Sequence, residues 1–300
     1  MGDNGKYKVA GIGELLWDLL PTGKELGGAP FNYTYHALKI GCESYIISAV
    51  GEDTLGNEIT TLLNKSGMDC QFIQVNSYPT GTVSVILDNQ GMPDYIIHEN
   101  VAWDYIHWND NLKSLASSLD ALCFGSLAQR NKETAQTIQS FISALKIECL
   151  KVFDINLRQN YYDKEKVLWL LNHTDVLKFN NDELPVIASF VGLKGNIKTQ
   201  LRQLIKEFKL SLLAYTMGAE GSILLNSEAY STMKAPKINI VDTVGAGDSF
   251  TAILIAGILK NKPLPVIHTM ATELSAFICT QKGATPVIPD NILNRINLYE

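Results

Sequence analysis

The four residues Gly245-Ala246-Gly247-Asp248 are where this chain could most readily do chemistry. An apolar, extended run at 238–241 enters the glycine turn, and a long apolar stretch leaves it. Glycine tolerates backbone dihedrals that other residues resist and lets a ligand approach the main chain closely. The first N–H groups of the following helix lack partners, and with the helix dipole they suit an anion such as a phosphate. Asp248 stands beside that anion site, where the dipole favours its ionised form. A carboxylate there can take the proton of an attacking hydroxyl. Phosphoryl transfer asks mainly for positioning, charge stabilisation and such a base. Alone, Asp248 reads more readily as a helix cap; no Gly-Lys-Ser/Thr follows, so the loop is not of the Walker type.

Other polar or glycine-rich clusters close apolar runs. Gly27-Gly28-Ala29-Pro30-Phe31-Asn32 opens a second helix, with Pro30 suited to its first turn. Asp18 ends Gly13-Glu14-Leu15-Leu16-Trp17-Asp18, and a carboxylate accepts two hydroxyl donors at once. In Asp154-Ile155-Asn156-Leu157-Arg158, Arg158 follows a short strand, and its planar fork suits a phosphate or a polar substrate. Lys178-Phe179-Asn180-Asn181-Asp182-Glu183 is a further strand end; Mg²⁺ prefers oxygen ligands and keeps several waters, through which carboxylates act. Two glycines in Thr216-Met217-Gly218-Ala219-Glu220-Gly221 allow a nucleotide close to the backbone. Each cluster also has a plainer structural reading as a cap, a salt bridge or a turn.

Together these strings resemble the ribokinase-like (PfkB) carbohydrate kinases. Asp242-Thr243-Val244-Gly245-Ala246-Gly247-Asp248 resembles the C-terminal signature of that family, and five motifs follow in family order over nearly the whole chain. The resemblance implies ATP and Mg²⁺ as cofactors and Asp248 as base, with the amides of Gly245, Ala246 and Gly247 stabilising the transferred group. It implies that Asp18, Gly28, Asn32 and Arg158 hold the sugar, and that Asn180, Thr216, Gly218, Gly221 and Gly283 border the nucleotide. Glu183 would act on Mg²⁺ through water, and Asp242 would lie at a K⁺ site near Lys282-Gly283-Ala284-Thr285. Gly-Gly-Ala-Pro in place of Gly-Gly-Lys-Gly is similar to the fructokinase branch rather than to ribokinases. D-fructose and ATP giving fructose 6-phosphate is thus the expected reaction. The alternatives are a kinase for 2-keto-3-deoxygluconate or ribose, and a non-catalytic sugar sensor. A homodimer formed through the lid is the expected assembly.

Strand-like and helical runs alternate along the chain and must position these residues. Strands are expected at Lys8–Ile12, 44–50, Ala121–Phe124, 151–154, 176–179 and Leu212–Thr216. Helices are expected at 31–39, 55–65, 132–145, Lys164–Asn172, Ile197–Phe208, 248–259 and 266–280, with a hairpin-like 221–233. This alternation predicts an α/β fold, a three-layer α/β/α mainly parallel sheet. Two stretches break it: 15–26, and a hairpin at 82–100 turning at Asn89-Gln90-Gly91. They predict a small β lid of 14–27 and 71–104 on a core of 1–13, 28–70 and 105–300. Trp17 and Trp103 are expected in the lid interior, with packing on the sugar's carbon face as the alternative.

A net charge of −6 argues against nucleic acid or an anionic membrane as main partner. Five scattered cysteines without a CxxC pair point to reduced thiols and a cytoplasmic setting. No apolar run reaches the ~20 residues of a membrane span, and Gly11-Ile12-Gly13 continues into Glu14-Leu15-Leu16, unlike a dinucleotide fingerprint.

Overall fold

The structure, a computed structural model, describes residues 5–87 and 93–296. In chain order it runs β1 (Lys8–Ile12), β2 (Leu16–Leu20), β3 (Gly23–Gly27), α1 (Ala29–Lys39), β4 (Glu43–Gly51), α2 (Thr54–Ser66), β5 (Ile73–Asn76), β6 (Gly81–Leu87) and β7 (Pro93–Ile97). It continues through α3 (Asp110–Ser118), β8 (Ala121–Phe124), α4 (Lys132–Ala144), β9 (Leu150–Asp154), α5 (Lys164–Asn172), β10 (Val176–Asn180), α6 (Leu184–Val191) and α7 (Ile197–Phe208). The last part holds β11 (Leu212–Thr216), β12 (Ser222–Leu225), β13 (Tyr230–Met233), α8 (Ala246–Leu259), α9 (Leu264–Cys279) and α10 (Asp290–Arg295).

A large sheet takes the order β13-β12-β11-β10-β9-β8-β1-β4-β5, parallel except for β12 and β13. Strands buried on both faces read as near-continuous apolar runs, as in β8 and β11. One face packs Phe124, Phe153 and Phe179 beneath α3 to α7, and the other packs Val152, Val176 and Ala214 beneath α1, α8 and α9. The expected three-layer α/β/α architecture is therefore present. A second, smaller sheet has the order β3-β2-β6-β7. Its Leu16, Val83 and Ile97 pack with Trp103 and Leu127, which joins it to the main body. Among the described residues no helix is long and apolar enough to cross a membrane.

Several expectations need adjustment. Helix α8 starts at Ala246 rather than Asp248, because Gly245 takes the left-handed conformation (φ 78°) at its N-cap. Asp248 is thus inside the first turn and is not the cap. Helices α3, α6 and α10 lie in segments with no expected element, and β5, inside the 71–104 segment expected in the lid, pairs with β4 in the large sheet instead. Both Trp17 and Trp103 are interior; Trp103 packs with the small sheet, whereas Trp17 donates its Nε1 to the Leu55 carbonyl at 3.1 Å and packs against α1, β4 and α2 of the main body rather than in a lid core. The expected turn at Asn89-Gln90-Gly91 lies outside the described residues.

Candidate active site

The C-terminal ends of β9 and β10 meet the first turn of α8, at the edge of an open α/β sheet where ligands usually bind. Asp248 sits at that junction. Asn32, one turn into α1, donates its Nδ2 to Asp248 Oδ2 at 2.8 Å, while its own Oδ1 is buried without a partner. Gly28 starts α1 with φ 111°, and a Cβ there would run into the Glu14 backbone carbonyl. On β2, Asp18 lies directly across from Glu25 of β3, and Gly27 leaves room for the Asp18 carboxylate.

Arg158 is exposed and donates only locally, to the Leu157 carbonyl at 3.0 Å. Its charge is felt by Glu14, Asp18 and Asp248 alike. Asp18, Asn32, Arg158 and Asp248 are therefore brought to one neighbourhood, with Gly28 at its rim. Burial and the charge of Asp154 push Asp248 up to about 6, against Lys178, the Asn32 amide and Arg158. The side chain keeps some surface open to the cleft although protein surrounds it closely. Burial and Glu25 raise Asp18 to about 6. Burial raises Glu14 to about 7, and its Oε2 has no partner.

Beneath Asp248 lies a cluster whose members Asp154 and Lys178 open two of the sequence motifs but had no role assigned to them. Strand register places Lys178 of β10 beside Asp154 of β9, and Lys178 Nζ meets Asp154 Oδ2 at 2.6 Å. Thr251 of α8 donates to the same Asp154 oxygen at 2.9 Å. Lys178 sits inside the apolar run Val-Leu-Lys-Phe, and a lysine in a buried strand signals a paired charge. Glu14 gave a fainter signal, a carboxyl directly after the strand-end Gly13.

Nucleotide-side candidates fall into two groups. Asn180 and Thr216 are neighbours across β10 and β11, followed by Gly218 (φ 54°) and Gly221 (φ 106°). Gly283 and Asp242 lie beside the α8 loop: Asp242 accepts from Val244 N at 3.0 Å and from Gly283 N at 3.1 Å. A Cβ on Gly245 would stand 2.5 Å from the Ala284 carbonyl oxygen, so the two loops interlock. Helix α1 grips the same segment, with His36 Nε2 at 2.9 Å from the Ala284 carbonyl and Tyr35 OH donating to the Pro286 carbonyl at 3.3 Å.

Glu183 is buried, and both its oxygens accept backbone amides, Leu157 N and Asn180 N at 2.8 Å each. It fastens the Arg158 segment to the end of β10. Among the described residues no three His, Cys, Asp or Glu side chains form a metal cage.

A family model described as pfkB family carbohydrate kinase matches residues 21–291. The fructokinase of Escherichia coli is 27% identical over 300 residues, covering 94% of this chain and 96% of that protein. An ATP-dependent 6-phosphofructokinase of Thermoanaerobacterium thermosaccharolyticum is 25% identical, covering 96% and 92%. The crystal structure of an uncharacterized sugar kinase from Pyrococcus horikoshii superposes with a TM-score of 0.82 at 28% identity, covering 96% of this chain and 97% of that one. The same sugar kinase is also solved in complex with ATP.

Proposed function

The chain belongs to the pfkB family of carbohydrate kinases, and on that premise we propose that it transfers the γ-phosphoryl group of MgATP to the primary hydroxyl of D-fructose, giving fructose 6-phosphate. The observation that carries this reading is the Asp248 carboxylate in the first turn of α8, beside the Gly245-Ala246-Gly247 turn and hydrogen-bonded to Asn32 from the opposite helix. Asp248 accepts the hydroxyl proton as the sugar oxygen attacks phosphorus, and the backbone amides of the turn stabilise the charge on the moving group. With its carboxyl at about 6, the base is mostly ionised at neutral pH. Asp18, Gly28, Asn32 and Arg158 hold the sugar. Asn180, Thr216, Gly218, Gly221 and Gly283 border the nucleotide, whose Mg²⁺ neutralises the β- and γ-phosphates.

The choice of a neutral hexose rests on charge. Glu14 and Asp18 crowd one side of the cleft with Arg158 as the cation facing them, while Glu25 beside Asp18 is ion-paired with Lys282 at 3.1 Å. Carboxylates accept from hydroxyls but repel a second phosphate or a sugar acid. A coupled ADP assay on fructose, fructose 6-phosphate, 2-keto-3-deoxygluconate and ribose tests this. Fructose should give the highest kcat/KM, and equal turnover of another member replaces it. Fructose binding without ADP release would instead favour the sensor reading.

In the same reading the small sheet, drawn from segments 14–27 and 71–104, closes over the cleft and excludes water, although β5 within the second segment belongs to the large sheet. Its edge strand β7 carries the exposed Tyr95 and Ile96, which suits pairing with a second copy, testable by sedimentation. Potassium is assigned to the interlocked loops at Asp242 and Gly283; replacing K⁺ by a bulky organic cation should slow turnover. Five unbridged cysteines suit the cytoplasm.

A further inference from the structure

Lys178 and Asp154 are buried charges that the reaction outlined above leaves without a task. Their side chains are 7% and 13% exposed, and they are paired at 2.6 Å. Burial works against the Lys178 ammonium, but Asp154, Asp248 and Glu183 outweigh it and hold its pKa above the usual lysine range. It therefore stays charged. A buried ion pair rarely adds stability over an apolar pair of the same shape, so its location must be explained by something other than folding.

The location is specific. A Cβ on Gly247 would stand 3.3 Å from Lys178 Nζ, so the ammonium lies against the first turn of α8. Thr251 bridges the pair to that turn, donating to Asp154 Oδ2 at 2.9 Å and to the Gly247 carbonyl at 3.0 Å. Strand register fixes both members from below. The pair thus touches the segment whose amides and carboxylate face the cleft.

We propose that Lys178 and Asp154 are positioning residues for the phosphoryl transfer: they seat the first turn of α8 from beneath, and their opposed charges hold Asp248 ionised yet basic. The proposal rests on the reading of Asp248 as base. Lys178 favours the carboxylate and Asp154 opposes it, so the two act on Asp248 with opposite signs. The other groups facing Asp248 are Arg158 after β9, Asn32 on α1, Glu14 after β1 and the buried Cys123 thiol on β8. None of these is altered by changes at 154 or 178, so differences between variants isolate the pair.

The test is the pH dependence of kcat/KM for the sugar between about pH 5 and about pH 9, which reports groups of the free enzyme, with thermal unfolding measured in parallel. Lys178→Met should move the acid limb up by about one pH unit, a loss of about fivefold at pH 6. Asp154→Asn should move the limb down, and Lys178→Arg should stay near the parent. Limbs that do not move, or that move in the same direction for Lys178→Met and Asp154→Asn, overturn the proposal even if both variants melt earlier. If Lys178→Met does not fold, the direction of the Asp154→Asn shift decides. Asp248→Asn separates the two claims. Near-parent turnover in it removes the base itself, whereas its inactivity alongside unmoved limbs removes only the role of the pair.

Discussion

Asn32 and Asp248 stand 216 positions apart in the chain and share one hydrogen bond, Nδ2 to Oδ2 at 2.8 Å. The residue expected to hold sugar therefore also holds the expected base. Neither helix presents its side chain to an empty cleft; each is oriented by the other. This contact lets the two ends of the site be tested separately.

Asp248→Asn removes the proton acceptor and keeps the shape. Turnover should fall by about 10²- to 10⁴-fold, with nucleotide and sugar still raising the melting temperature. Steady-state kinetics beside ligand-dependent unfolding checks both halves, and near-normal turnover would refute the assigned base.

Asn32→Leu removes a neutral donor from the carboxylate. The remaining causes, burial and Asp154, then act with less opposition, so the acid limb of kcat/KM should move upward. A hydrogen bond to a charged group contributes about 1.5–3 kcal/mol, or about one to two pH units. The sugar KM should also rise, since the proposed reading counts Asn32 among the sugar's partners. An unchanged KM would remove Asn32 from sugar binding and leave it as a partner of the base alone.

Three buried carboxyls should make a contribution to stability that falls as pH rises. Glu14, Asp18 and Asp248 are raised from 4.5, 3.8 and 3.8 to about 7, 6 and 6. Between the unfolded and folded values these groups bind more protons in the folded chain than in the unfolded one, so their contribution falls as pH rises. His36 and His268, lowered to about 4 by burial, act in the opposite sense below about pH 6.5, so the carboxyls show in the difference between the parent and a carboxyl variant rather than in the parent's own slope. Glu14→Gln should raise the melting temperature at the higher pH. A Glu14→Gln advantage that does not grow between about pH 5 and about pH 8 would contradict the raised Glu14 value.

Gly245→Ala puts a methyl where the φ is 78° and the Ala284 carbonyl is 2.5 Å away. Strain of this kind costs about 1–3 kcal/mol, and the interlocked loops must part. The melting temperature should drop by several degrees and turnover should fall more steeply than ligand binding. Calorimetry and kinetics on one preparation would check this, and a neutral variant would mean that the two loops do not interlock.

Much of the fold was legible because its signals are local. Apolar runs such as Leu212–Thr216 and the glycine turn at 245–247 declare themselves within a few residues. Helix α6 escaped because Pro185 stands near its start, where proline is compatible with a first turn but resembles a breaker. Helix α3 escaped because Asp110-Asn111-Leu112-Lys113-Ser114 has modest helix propensity and is held by packing on α4. In the site, the glycines and Asp248 were readable from spacing. The task of Lys178 was not, since it follows from the register of β9 against β10. Nor was the bond between Asn32 and Asp248, which exists only once α1 and α8 pack together.

The grip of Tyr35 and His36 on the carbonyls of Pro286 and Ala284 bears on how this chain could be taken apart. A cut in the middle of the sequence leaves each fragment with half of a cleft, one half carrying Asn32 and the other Asp248. Neither fragment alone could spend ATP, and helix α1 is the natural clasp for the second. Two such pieces, fused to proteins that meet in a cell, would regain phosphorylation only on reunion, making the enzyme a sensor of that encounter.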